Sequence, residues 1–211
     1  MPNRPFFQVL ALMAVLCAAS MGAGCSDLRH DFSAPSAEST DPEMLRRAAV
    51  EKGDAQAQNK LGMMYFRGLG VPQSFANAAA LYQMAATQGN AWAQTNLGMM
   101  YIQGQGVPQD VARGAAFLQK ASDQGFVLAQ HNMGMLYLQG HGMPRDDAKA
   151  AAFFQKAADQ GYPMARFVLG EMYVVGRGVP KDIGKACNLL RLAAANGITG
   201  AQEAIDRNCP K

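Results

Sequence analysis

The apolar positions of this chain fall at helical spacing in a short pattern that keeps returning. Ala57, Leu61, Met64 and Tyr65 stand at i, i+4, i+7 and i+8, one face of a helix termed A below. Gly68 then interrupts it. Glycine enters the left-handed backbone region without a Cβ clash, so the segment from Gly68 through Gly70 to Pro72 predicts a turn between two helices. Ala78, Leu81, Tyr82 and Ala85 mark the buried face of a second helix, B, and Ser74 precedes it as an N-cap that can accept from the free N–H groups of a helix start.

The pattern repeats every 36 residues without slipping: Gly53, Gly89, Gly125, Gly161 and Gly197 share one column. Tyr65, Tyr101, Tyr137 and Tyr173 share another, as do Gly62, Gly98, Gly134 and Gly170, and the capping residues Ser74, Asp110, Asp146 and Asp182. One helix pair cannot bury its own apolar stripe, but stacked copies bury each other's, so the chain is predicted to be an all-α solenoid. Small Ala and Gly columns permit close helix approach while Tyr and Leu columns fill the remaining volume.

The unit Ala-x-x-x-Leu-Gly-x-x-Tyr-x-x-Gly-x-Gly-Val-Pro, followed by Ala-Ala-x-x-Gly, resembles the Sel1-like repeat family, relatives of tetratricopeptide repeats. The resemblance implies a right-handed α-solenoid of antiparallel helix pairs over residues 43–211. Four full units run over 54–89, 90–125, 126–161 and 162–197. A half-unit stands at each end, Met44 to Gly53 resembling a B helix and Ile198 to Cys209 an A helix. Departures are local, such as Met133 for the usual Leu and Asp206 for a Gly.

Ahead of the repeats, Arg4 is followed by an apolar run from Phe6 to Ala19 and by small residues up to Cys25. That run is shorter than the roughly 20 residues a membrane-spanning helix needs, so residues 1–24 read as a signal peptide, with a permanent anchor helix as the alternative. The junction resembles a bacterial lipoprotein signal, in which small residues precede a cysteine that is lipidated on its thiol. Cys25 is the candidate, although Gly22 stands where Leu is usual; cleavage near Ser20 would instead leave a soluble secreted protein. Ser26, where Asp would retain a lipoprotein, fits outer-membrane sorting by resemblance to enteric lipoproteins. The expected location is the cell envelope on its periplasmic side. Residues 25–42, with four Ser and two Pro, read as a flexible tether.

Cysteine parity agrees with lipidation: Cys17 leaves with the leader and Cys25 takes the lipid, so Cys187 and Cys209 remain as a pair. Cys187 falls in the column of Ala79, Ala115 and Ala151, and Cys209 in that of the tyrosines. A disulfide replacing this Ala and Tyr pairing is expected to staple the last half-unit, two buried thiols being the alternative.

Composition narrows the function. Hydrophobic residues make up 49% of the chain and charged ones 17%, enough apolar material for a core. The net charge of +3 comes from scattered basic residues, which gives no footprint for nucleic acid. The repeats hold only Ser74 and Ser122 among serines and only His131 and His141 among histidines, with no nucleophile or metalloprotease motif. Val-Pro, or Met143-Pro144 in the third unit, follows each glycine pair where a phosphate cradle would need free N–H groups. No catalysis and no cofactor are expected. A copper site on Met99, His131 and Met135 is also not expected, since Met63, Met99 and Met135 are equivalent positions on successive A helices, ~10 Å or more apart, too far for shared ligation.

What remains is surface. By analogy with tetratricopeptide repeats, A-helix columns line a groove: Gln56, Trp92, Leu128 and Met164; Asn59, Thr95, His131 and Phe167; Met63, Met99, Met135 and Glu171; Arg67, Gln103, Gln139 and Val175. Adaptable Met side chains beside Trp92 and Phe167, rimmed by Gln and Asn, suit a protein or peptide partner. Core packing of Trp92, Leu128 and Met164 is the competing reading. The sequence thus points to a non-enzymatic adaptor of the bacterial envelope, the alternative being a protein that binds or weakly hydrolyses cell-wall glycopeptide.

Overall fold

A computed structural model describes residues 41–210; the expected signal peptide, Cys25 and all but the end of the tether lie outside them. The described residues form ten α-helices and no strand. In chain order these are α1 (Pro42–Val50), α2 (Ala55–Arg67), α3 (Phe75–Thr87), α4 (Ala91–Gln103), α5 (Val111–Asp123), α6 (Val127–Gln139), α7 (Asp147–Asp159), α8 (Pro163–Val175), α9 (Ile183–Ala195) and α10 (Ala201–Asn208). The helices from α2 to α9 make four AB pairs, while α1 is the lone B helix and α10 the lone A helix of the two half-units. The architecture is an α-solenoid, in which each A helix packs on the B helix of its own pair and on the one before it.

The turn chemistry explains why the pairs form. Each A helix ends on a glycine in the left-handed region, Gly68, Gly104, Gly140 and Gly176, with φ between 68° and 71°. Each B helix starts at Ser74, Asp110, Asp146 or Asp182, whose side-chain oxygen accepts from the N–H three residues on. The backbone N–H of that same cap donates to the carbonyl of Tyr65, Tyr101, Tyr137 or Tyr173 at 2.9–3.0 Å. One residue therefore starts helix B and ties it to the end of helix A.

Within a pair, glycine on A receives a bulky side chain from B. A Cβ on Gly62, Gly98, Gly134 or Gly170 would stand 2.9, 3.1, 2.7 or 3.0 Å from Tyr82, Leu118, Phe154 or Leu190 respectively. These four large residues are fully buried, and burying side chains of this size is worth roughly 1.5–3 kcal/mol each.

Between pairs the connection is polar. Buried Gln58 and Gln94 each donate from Nε2 to a carbonyl near the end of the preceding B helix, Ala49 at 2.9 Å and Ala86 at 3.1 Å. Their Oε1 atoms accept from Gln88 and Gln124, 2.8 and 2.7 Å away, and Gln130 accepts from Gln160 in the same way. In the fourth pair Arg166 takes over, its Nε donating to the Ala158 carbonyl at 3.2 Å. Buried amides are tolerated here because donor and acceptor are both used.

The C-terminal half-unit is held covalently. Cys187 and Cys209 form a disulfide with their Cα atoms 5.7 Å apart, joining α9 to the residue that follows α10. The expected pairing is present where the earlier units place Ala79 beside Tyr101, both buried in one apolar cluster.

One junction carries charge. Asp147 accepts from Arg145 Nε and Nη2 at 2.9 and 2.8 Å, and from Arg177 Nη2 at 3.0 Å. In earlier units a glutamine from the turn satisfies the carbonyl at the end of helix A: Gln73 donates to Phe66 and Gln109 to Ile102. Arg145 stands in that column but turns to Asp147, and Arg177 from the next unit donates to the Leu138 carbonyl instead, at 3.2 Å.

Candidate interaction face on the A helices

The A-helix columns are partly surface and partly core. Trp92 is 40% exposed, with its ring edge-on to Phe126 at a centroid distance of 4.8 Å. Gln103 and Gln139 are exposed. Met99, Met135 and Leu128 are half-buried, as is Met63, so one side of each thioether or aliphatic chain lies on the solenoid and the other faces out. Met164 is half-buried against the C-terminal apolar cluster.

Two residues leave the exposed set. Thr95 is 4% and Phe167 7% exposed, so neither lines an open groove. Thr95 satisfies its hydroxyl within its own helix, donating to the Ala91 carbonyl at 2.8 Å, which removes the cost of burying it. Phe167 joins the cluster that contains Ile198 and Ala201 of the final half-unit, and the turn at Gly200 lies over its ring tip. The analogy with tetratricopeptide repeats exposes a column that here packs inward.

His131, in the same column, lies between the rings of Phe154 and Tyr162, with centroids 5.4 and 5.1 Å away. Part of the residue reaches solvent, but Nδ1 is enclosed and has no hydrogen-bond partner. Burial pushes its pKa down to about 4, so the imidazole is neutral at neutral pH. Glu171 closes the Met63, Met99 and Met135 column with a half-buried carboxyl whose pKa burial raises, against the lowering effect of Arg207. Among the described residues no three His, Cys, Asp or Glu side chains converge on one point.

A small cleft of about 70 Å³ opens on this face between the first and second repeats. Phe66, Tyr82 and Met100 form its floor and Asn96, Met99, Gln103 and Gln105 its polar and thioether rim. Asn96 donates to Asn59 Oδ1 at 3.4 Å across the repeat boundary, whereas Gln105 Oε1 is buried without a donor. The sequence reading named Met99 and Gln103 and missed Phe66, Asn96 and Gln105. The signal available was columnar: Leu69, Gln105, His141 and Arg177 share one turn position, which each unit fills differently.

This arrangement offers apolar contact area and amide groups, with no nucleophile, base or metal centre gathered around the cleft. Comparison with known proteins is consistent with a solenoid of this type. No curated protein matches the sequence. The model of the Sel1 repeat matches residues 55–90, 93–126, 127–162 and 163–198. Among solved structures, a Sel1 repeat protein from Oxalobacter formigenes is 41% identical with a TM-score of 0.72, over 79% of this chain and 48% of that one. A protective antigen of uropathogenic Escherichia coli displaying an SLR fold is 33% identical with a TM-score of 0.77, over 80% of this chain and 36% of that one. This chain therefore spans less than half the length of either relative. Helicobacter pylori cysteine rich protein B, 20% identical with a TM-score of 0.51 over 65% of this chain and 98% of its own, shares the fold. With four consecutive repeats matched and the glycine turns, capping column and interlocking helix pairs that define them in place, the chain belongs to the Sel1 repeat family.

Proposed function

We propose that this protein is a non-enzymatic adaptor of the bacterial cell envelope, lipidated at Cys25, which binds a protein or peptide partner along its A-helix side. The observation that carries the reading is the band of half-buried Met63, Met99 and Met135 beside exposed Trp92, rimmed by Asn96, Gln103 and Gln139. Thioether chains adapt to a partner's shape, an exposed Trp supplies a large anchor, and amides fix register without a charge to desolvate. The disulfide supports an oxidising compartment. Sel1 repeat proteins are generally protein-interaction scaffolds, which supports the reading.

A photoreactive side chain introduced at Met99 in cells tests the binding face, with the same group at exposed Ala152 on α7 as the comparison. A defined adduct from the Met99 site, lost in a folded Trp92→Ala/Met99→Glu/Met135→Glu chain when the probe sits instead at Gln103, supports the reading. Equal adducts from both sites would move the partner elsewhere. Labelled palmitate incorporated by the wild type and absent from Cys25→Ser tests the anchor.

A further inference from the structure

The two ends of the solenoid are complementary halves of one unit. Among the described residues α1 is a B helix without the A helix of its own pair, and α10 is an A helix without its B. Each packs chiefly across a pair boundary, α1 on α2 and α10 on α9, and lacks the more extensive contact that the two helices of one pair make with each other.

The positions left open are those that the missing helix would cover. On the internal A helices the columns of Gln58 and Gly62 are buried or half-buried, the glycines against the B helix of the same pair. On α10 these columns hold Gln202 and Asp206, both exposed. On the internal B helices Tyr82, Leu118, Phe154 and Leu190 pack on the glycine column and are buried, whereas α1 has Arg46 there with its side chain 67% exposed. Val50, 62% exposed where Ala86 and Ala158 are buried, adds apolar area to the same open face.

The two sets of replacements match each other. Among the described helices Asp206 is the one acid in the glycine column, and Arg46 the one base in the column that packs on it. Covered by a leucine or a ring, the Asp206 carboxylate would lose its water without a partner; covered by an arginine it gains charge-assisted hydrogen bonds. The arginine chain is long enough to reach it across a wider gap than the bare glycine contact leaves. Glu43 Oε2 lies 3.9 Å from Arg46, but in a contact open to water, which is worth little and leaves the guanidinium available.

A second pair stands in the same register. Gln88 Nε2 donates to Gln58 Oε1 at 2.8 Å within the first pair. Lys52 occupies the Gln88 column and Gln202 the Gln58 column, so a donor again faces an amide oxygen. Gln202 Nε2 already donates to Asp206 Oδ1 at 2.9 Å, which leaves its Oε1 to accept from a lysine. Position, and not net charge, gives the selectivity, since Asp41, Glu43 and Glu51 offset Arg46, Arg47 and Lys52 over this end as a whole.

We propose that copies of this chain associate head to tail, α1 of one copy docking on α10 of the next to complete a helix pair, with Arg46 set against Asp206 and Lys52 against Gln202. The two surfaces differ, so the contact is heterologous and repeats into an open row of copies instead of a closed dimer. Between helices of nine and eight residues it is small, so association is weak and grows with concentration.

Sedimentation velocity of the full chain in detergent, over a range of protein and salt concentrations, tests this. The wild type is expected to form dimers and then longer species, fewer of them as salt is raised. Arg46→Asp and Asp206→Arg should each lower the association constant about tenfold. The chain carrying both changes should recover it, as should an equimolar mixture of the two single variants, because either restores opposite charges at every contact. Both sites are exposed, so circular dichroism melts of the variants should match the wild type, which separates lost docking from lost folding. A wild type that stays monomeric at millimolar concentration, a dimer that does not grow, or association that the reversals leave unchanged overturns the proposal. So does failure of the double exchange to restore what the single changes remove.

Discussion

A Cβ atom on Gly134 would stand 2.7 Å from the edge of the Phe154 ring, and the ring is fully buried, so it has nowhere to retreat. The same contact recurs between Gly98 and Leu118, where the carbonyl of Gly114 also closes in to 2.9 Å. Gly134→Ala and Gly98→Leu are therefore expected to destabilise by about 1–3 kcal/mol through overpacking. Gly184, near the start of α9, supplies the contrast. A Cβ there meets only Asp182 Oδ1 at 3.4 Å, and Ala76, Ala112 and Ala148 occupy its column, so Gly184→Ala should stabilise by about 0.5 kcal/mol. Denaturant melts of the three variants check the ordering, and a Gly134→Ala melt equal to wild type would refute the close packing.

These contacts were legible in the sequence because glycine and bulky residues alternate between two columns held in one register. The cap column and the Cys187 and Cys209 pairing were legible for the same reason. Exposure was not. Phe167 is buried by what the final half-unit places over it, and Thr95 is buried with its hydroxyl bonded inside its own helix; neither follows from helical spacing alone. The glutamine ladder was visible as a column yet carries no hydrophobic signal, since Gln58, Gln94 and Gln130 look like surface residues until their carbonyl partners are known. That Lys120 and Lys156 rest over the rings of Phe117 and Phe153, 5.7 and 5.3 Å from their centroids, needed the structure, because a lysine near a phenylalanine in sequence states nothing about where its ammonium rests.

The ladder gives a second expectation. Gln94 links the Ala86 carbonyl to Gln124, joining the first pair to the turn after the second. Gln94→Leu would leave the buried Ala86 carbonyl short of a bond and take from exposed Gln124 its partner, with an expected loss of about 1–3 kcal/mol. The loss should be non-additive with Gln124→Ala, because either change breaks the same connection. A double-mutant cycle measures this, and strict additivity would mean that the two amides act separately.

The disulfide is expected to matter most at the end of the solenoid. Its cysteines are 22 residues apart, and closing a loop of that size is worth about 3 kcal/mol on the chain-entropy model. Among the described residues the helix α10 packs chiefly on α9, so Cys209→Ser should raise amide exchange in α10 well before it affects α4 or α6. Labelling of the unfolded, unreduced protein is expected to find neither Cys187 nor Cys209 free; two reactive thiols at these positions would exclude the bridge.

Acid should act in two stages. The folded pKa of His131 is held down at about 4 by burial, below its usual 6.5, so the fold favours the neutral ring. Its contribution is present in full above about pH 6.5 and is lost as the pH falls towards 4, by at most about 3 kcal/mol. Asp147 behaves differently, because hydrogen bonds from Arg145 and then Arg177 hold its carboxyl well below the ordinary carboxylate range. Its contribution persists to about pH 4 and is lost only below that, as the folded carboxylate is finally protonated. In His131→Leu the Nδ1 that has no partner is gone, so stability at pH 7 should change by less than about 1 kcal/mol while the decline between pH 6.5 and 4 flattens. Asp147→Asn should keep that decline and lose the part of the one below pH 4 that this carboxylate contributes. Chemical denaturation at half-unit pH steps separates the two; a decline that survives His131→Leu unchanged would assign the first stage to another group.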